Sequence, residues 1–150
     1  MAGPSFHFRL ERVRALRERK QKLAEQALAR AISGRLRSEQ ELRAAEAHLM
    51  RAQSEQREAS SAPTSGGELL AQQAFLERVE AQQGQRAQEL ELCGAEVARR
   101  DAQLTLAASE HQMLKRLRER HRGAHDRDAA RREQDALDEI AVVRHGRSAA

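Results

Sequence analysis

The sequence predicts an all-α fold of two long helices that form an antiparallel coiled-coil hairpin, and three observations predict it. Charged residues make up 33% of the 150 residues and aromatic residues only 2%. Apolar bulk is therefore mostly Leu and Ala, diluted by Arg, Glu and Gln, a mixture suited to a long helix with one narrow apolar seam. Pro, Ser and Gly cluster in one place, Ser60–Gly67, which marks a single chain reversal. On either side of it, apolar residues recur every seven positions, the period that keeps one stripe facing a partner helix along its length.

Helix one is expected over about residues 8–59, with Pro4 or Ser5 helping to start it. Leu16 and Leu23 stand seven apart, as do Leu42 and Leu49, and Leu28 precedes Leu42 by fourteen. Ala24, Ala27, Ala31, Ala45 and Ala52 fill the stripe between them. The loop covers about 60–67. Helix two is expected over about 68–144, with Thr64 or Ser65 as its N-cap and Glu68 at the positive end of the helix dipole. Its seam runs through Leu69, Leu76, Gln83, Leu90, Val97 and Leu104. It continues through Leu114 and Leu117, then Leu137 and Ile140. Residues 145–150 are expected to fray. Two such helices joined by a short loop fold back antiparallel as one domain spanning 1–150. Helix one would be ~75 Å long at 1.5 Å per residue, and the longer helix two would overhang it or pair with its very start.

High charge with few aromatics is also the mark of disorder. Two features favour helix instead. The net charge is only +4, and the polar residues are helix formers. Cys93 is the single cysteine, which precludes an intramolecular disulfide and fits a reducing compartment. The opening segment carries no apolar signal region, and no run of ~20 apolar residues occurs anywhere. A soluble, cytoplasmic protein is expected.

Positive charge gathers at the terminal end of the hairpin. Seven basic residues lie between Arg9 and Lys22, and eight between Lys115 and Arg132. One reading is a solvated face laced with i, i+4 pairs. The other is a docking surface for acidic protein surfaces, with anionic lipid nearby. Nucleic acid is disfavoured, because the chain has no Tyr or Trp for stacking and no helix-turn-helix or basic-zipper layout.

Catalytic and metal chemistry find no support. His121 and His125 are i, i+4 and could face one ion, with Asp128 as a candidate third ligand, but a real site needs a third or fourth ligand and an ordered second shell, and exposed basic neighbours repel a cation. Cys93 has no positioned base. Gly66-Gly67 is not followed by the Lys and Ser or Thr of a phosphate loop. No enzyme activity, cofactor or metal is expected.

Three segments together resemble the flagellar export protein family FliJ and its injectisome relatives of the YscO type. The first is the opening, Phe6-His7-Phe8-Arg9-Leu10-Glu11-Arg12-Val13. The second follows the loop, Gln72-Gln73-Ala74-Phe75-Leu76-Glu77-Arg78-Val79. The third is the tail, Arg132-Glu133-Gln134-Asp135-Ala136-Leu137-Asp138-Glu139-Ile140-Ala141, which is similar to the family's E-Q-x-x-L-D-E-x-A ending. The resemblance implies a non-enzymatic stalk and chaperone escort of the flagellar type III protein export apparatus, serving motility. Such a protein is cytoplasmic and peripherally associated with the inner face of the cell membrane. Its implied partners are the export ATPase ring, the membrane export gate and export chaperones. Leu10, Val13, Leu16, Arg131, Arg132, Leu137, Asp138 and Glu139 are the implied ATPase-facing residues. Phe75, Val79, Gln82 and Arg86 are the implied gate-binding residues. Phe75 also has a physical argument of its own, since a lone exposed ring on a polar surface is a natural anchor. The alternatives are that its ring packs across the hairpin, and, for the whole chain, a generic coiled-coil adaptor or a basic helical protein binding nucleic acid or a membrane surface.

Overall fold

The computed structural model describes residues 5–61 and 65–148, with side chains described as far as His145. It contains two helices, α1 (Glu11–Ala59) and α2 (Gly66–Ser148), as an antiparallel coiled-coil hairpin. Helix α1 starts three residues later than the sequence suggested. The Glu11 N–H donates to the Phe8 carbonyl at 3.0 Å and the Arg14 N–H to the Leu10 carbonyl at 2.8 Å, which closes the first turn. Ser5 lies outside that turn, and Pro4 lies outside the described residues. At the other end, Ser60 caps α1 twice. Its N–H reaches the Gln56 carbonyl at 2.9 Å and its hydroxyl donates to the same oxygen at 2.7 Å. Carbonyls without partners inside the helix are thereby satisfied.

A capping box starts α2. The Glu68 N–H donates to the Ser65 hydroxyl oxygen at 3.3 Å, and the Ser65 N–H donates back to the Glu68 carboxylate at 3.0 Å. Ser65 is therefore the N-cap, and Thr64, the alternative, lies outside the described residues along with Ala62 and Pro63. Gly66 and Gly67, expected in the loop, form the first turn of the helix with ordinary negative φ. First-turn N–H groups have no partner within the helix in any case, so little helical bonding is staked on them. The helix continues to Ser148, past the point where fraying was expected.

The chain divides into two compact units, Lys22–Thr105 and Met1–Gln21 with Leu106–Ala150. In the first unit, one row of α1 is half-buried or buried at seven-residue intervals: Ala24, Ala31, Ser38, Ala45, Ala52 and Ala59. It faces Leu76, Gln83, Leu90, Val97 and Leu104 of α2, with Val79 only 4% exposed. Small side chains on one helix let the larger ones of the other sit close against its backbone. The Ser38 hydroxyl is buried there without a hydrogen-bond partner. Ser38→Ala removes that unsatisfied group and completes the alanine row, and is expected to stabilise the protein by about 1 kcal/mol. Urea unfolding measures this, and a lower midpoint in the variant would contradict the account.

The expected seam needs three corrections. Leu69, expected to head the α2 row, is 46% exposed, and the inward row starts at Leu76. Leu16 and Leu23 do not face the partner helix, since they are 64% and 58% exposed. The inward row falls one residue later, on Arg17 and Ala24. Leu137 and Ile140 do not carry the seam onward either, at 55% and 56% exposed, and every described side chain from residue 130 to 145 is exposed. Leu114 and Leu117 are half-buried, as the seam requires.

The second unit is held by a polar seam around two buried residues, Phe8 and Ala107. The Phe8 ring meets His121 edge-on at 5.7 Å, and Phe6 meets His125 at the same distance. Arg17 donates to Glu110 at 2.6 Å, and Gln21 and His111 are 2.9 Å apart. Arg118 and Glu11 form an ion pair at 3.3 Å that lies off hydrogen-bond geometry. Exposed pairs of this kind contribute little each, so Phe8 is the unit's main apolar anchor.

Candidate partner-binding surfaces

Phe75 projects from α2 about two and a half turns past the helix start. It is 41% exposed, with its remaining face against the His48 ring of α1 at 6.1 Å in an edge-on contact. It thus packs across the hairpin and still offers part of its ring to solvent. Val79, one turn on, does not share that exposure. It belongs to the seam, and its side chain is not available to a partner. Gln82 is exposed. Arg86 is half-buried between two carboxylates, donating to Glu41 of α1 at 2.9 Å and Glu89 of its own helix at 2.7 Å. The hydrogen bond to Glu89, then the charges of Glu89 and Glu41, hold the Arg86 guanidinium above its ordinary pKa, and the Arg86 hydrogen bond holds Glu89 below the ordinary carboxylate range.

A shallow groove runs beside these residues between the helices. Helix α1 lines it with Glu41, Ala44, His48 and Arg51, opposite Gln82 and Arg86 of α2. Sequence reasoning placed this surface on α2 alone. Antiparallel pairing of residue 41 with 86 and of 48 with 75 adds His48 and Arg51 to it, and only the register of the two helices could have shown that.

The other set of residues lies in the unit of both termini. Leu10, just before α1, and Val13 and Leu16 on its first turns are exposed. Arg131, Arg132, Leu137, Asp138 and Glu139 are exposed on the last part of α2, where Gln134 donates to the Asp138 carboxylate at 3.0 Å. Leu137, Ile140, Val142 and Val143 leave α2 with a run of uncovered apolar side chains, more than a solvated helix end requires. Close by in sequence, the Arg14 guanidinium hydrogen-bonds the Glu11 carboxylate and pulls its pKa down, with Arg118 and His7 adding to the effect.

The two histidines considered as a metal pair are occupied by aromatic contacts, with Phe8 on His121 and Phe6 on His125. Among the described residues no cluster of three or more His, Cys, Asp or Glu side chains could hold an ion. Cys93 is half-buried in the seam as a free thiol.

These features define a class of protein: a coiled-coil hairpin whose distinctive side chains are displayed along its helices. A solved structure from Chlamydia trachomatis, of a protein described as a YscO homologue, shares the fold. The TM-score is 0.66 over 94% of this chain and 96% of that one, at 19% identity. The family model of the flagellar FliJ protein matches residues 6–150, and the chain belongs to that family. It is thereby a component of flagellar type III protein export. No curated protein matches the sequence.

Proposed function

We propose that the chain is a non-enzymatic stalk and chaperone escort of the flagellar export apparatus. In this reading its terminal unit engages the export ATPase ring, and Phe75, Gln82 and Arg86 engage the membrane export gate. The observation that carries the reading is the uncovered apolar run from Leu137 to Val143 on α2, which no part of the described chain packs against. Leu10, Val13 and Leu16 add apolar surface in the same unit, with Arg131, Arg132, Asp138 and Glu139 as a charged rim. An apolar centre with polar edges is the usual anatomy of a protein interface. No described helix is long and apolar enough to cross a membrane, so contact with the inner face of the cell membrane would be peripheral, through the gate.

The mechanism requires no chemistry from the chain itself. A stiff helical element can touch unequal subunits of a ring at once and bias their conformations, provided its contacts differ between states. A pull-down with the export ATPase tests the assignment. Truncation after Ala129 is expected to weaken capture several-fold and to reduce the ATPase response, while the rest of the hairpin stays helical. Unchanged capture and rate would rule out the terminal unit as the ATPase-binding end.

A further inference from the structure

The positive charge of this protein is concentrated in two stretches, one between Arg9 and Lys22 and one in α2. Between Lys115 and Arg132 there are eight basic residues and three acidic ones, an excess greater than the +4 of the whole chain. Some of the arginines elsewhere are tied to a carboxylate, as in Arg14 with Glu11, Arg86 with Glu89 and Arg100 with Glu96. Within the α2 stretch, Arg118 pairs with Glu11 and Arg122 with Asp126. Arg116, Arg120 and Arg127 differ. Among the described residues none of them has an ion-pair partner, and all three line one open groove over Gly123, with Glu119 at its edge. Their spacing of four and then seven keeps them on one face of the helix, over ~16 Å at 1.5 Å per residue.

We propose that this arginine row is a docking site for a short acidic segment of a protein partner, separate from the ATPase-facing and gate-facing residues assigned above. Two features select that occupant. The row is bounded: past Arg131 and Arg132, Glu133, Asp135, Asp138 and Glu139 place four carboxylates in seven residues without a basic one. An extended polyanion, whether a bilayer surface or a nucleic acid, would be repelled as it ran on past the row, whereas a discrete acidic segment ends before it. The aromatic rings near the row, Phe8 and Phe6, are already packed, Phe8 buried against His121 and Phe6 half-buried against His125, so neither is laid open for a base to stack on. The choice of arginine fits carboxylates. The guanidinium fork takes a carboxylate bidentately, which the point charge of lysine does not.

The test uses the full chain and three probes: a labelled helical peptide with glutamate pairs four residues apart, vesicles of phosphatidylglycerol in phosphatidylcholine, and heparin. Fluorescence anisotropy, or co-sedimentation for the vesicles, reads binding at low and moderate salt. The unchanged protein is expected to bind the peptide in preference to vesicles and heparin. R116Q/R120Q/R127Q is expected to bind it several-fold more weakly with a smaller salt dependence, at unchanged helicity. R99Q/R100Q, which removes arginines already paired with Glu96, is expected to bind as the unchanged chain does. Equal binding by the two variants would overturn the site. Stronger binding to vesicles or to heparin than to the peptide would overturn the choice of partner.

Discussion

Phe75→Ala is expected to weaken binding to the cytoplasmic part of the export gate tenfold or more, about 1.4 kcal/mol, while both helices stay intact. The argument rests on where the ring sits. It is 41% exposed, one edge is propped against His48, and it borders a groove that both helices line. A ring held in place in this way loses little conformational freedom when a partner covers it, which is why aromatic residues dominate binding hot spots. Val79→Ala is the matched control. Val79 is 4% exposed, so its truncation should lower stability by about 1–2 kcal/mol and reach the gate only through that loss. Titration calorimetry with the gate domain, alongside thermal unfolding, separates the two. If Phe75→Ala binds like the unchanged chain, Phe75 is not a gate anchor.

The second large effect is expected from Phe8→Ala. Phe8 is 4% exposed in a unit whose other seam residues are mostly Arg, Gln, Glu and His, and its ring lies edge-on to His121 at an interplanar angle of 78°. Removing a buried phenyl ring costs about 3 kcal/mol, and this seam has little other apolar area to absorb the loss. The result should be local. Hydrogen exchange is expected to speed up in residues 8–21 and 106–125 and to change little between residues 22 and 105, which form a separate compact unit. Uniform acceleration throughout the chain would show that the two units do not open separately. A purely local opening would also weaken ATPase capture without changing gate binding, if the terminal unit is the ATPase-facing one.

Much of this architecture was legible in the amino-acid order alone. The residue types between Glu11 and Ala59 and between Gly66 and Ser148 favour helix, and the main cluster of Pro, Ser and Gly stands between them. The S-x-x-E pattern of Ser65 and Glu68 is a readable helix start, and it draws Gly66 and Gly67 into the helix, where composition alone suggested loop. The leucines and valine from Leu76 to Leu104 announced the inward row of α2 by their spacing, since no competing row on that helix is as apolar.

What only the tertiary structure decided was which of several equally spaced rows faces inward, and where the facing stops. On α1, Leu16 and Leu23 repeat with the same period as Arg17 and Ala24 one residue later, so periodicity cannot choose between them. Packing chose the row of Arg17 and Ala24, because alanine lets the larger side chains of α2 approach the helix, and Leu16 and Leu23 were left outside while Leu28, Leu42 and Leu49 are half-buried. On α2, Phe75 and Val79 both belong to an apolar-looking stretch, yet opposition to α1 buries the valine and leaves the ring half in solvent. The exposure of Leu137 and Ile140 was likewise decided by α1, which begins only at Glu11 and supplies no surface to cover them. The physical reason is common to all three. A sequence sets the period and polarity of a helix, but burial is a property of two surfaces meeting, and the second surface comes from residues far away in the chain.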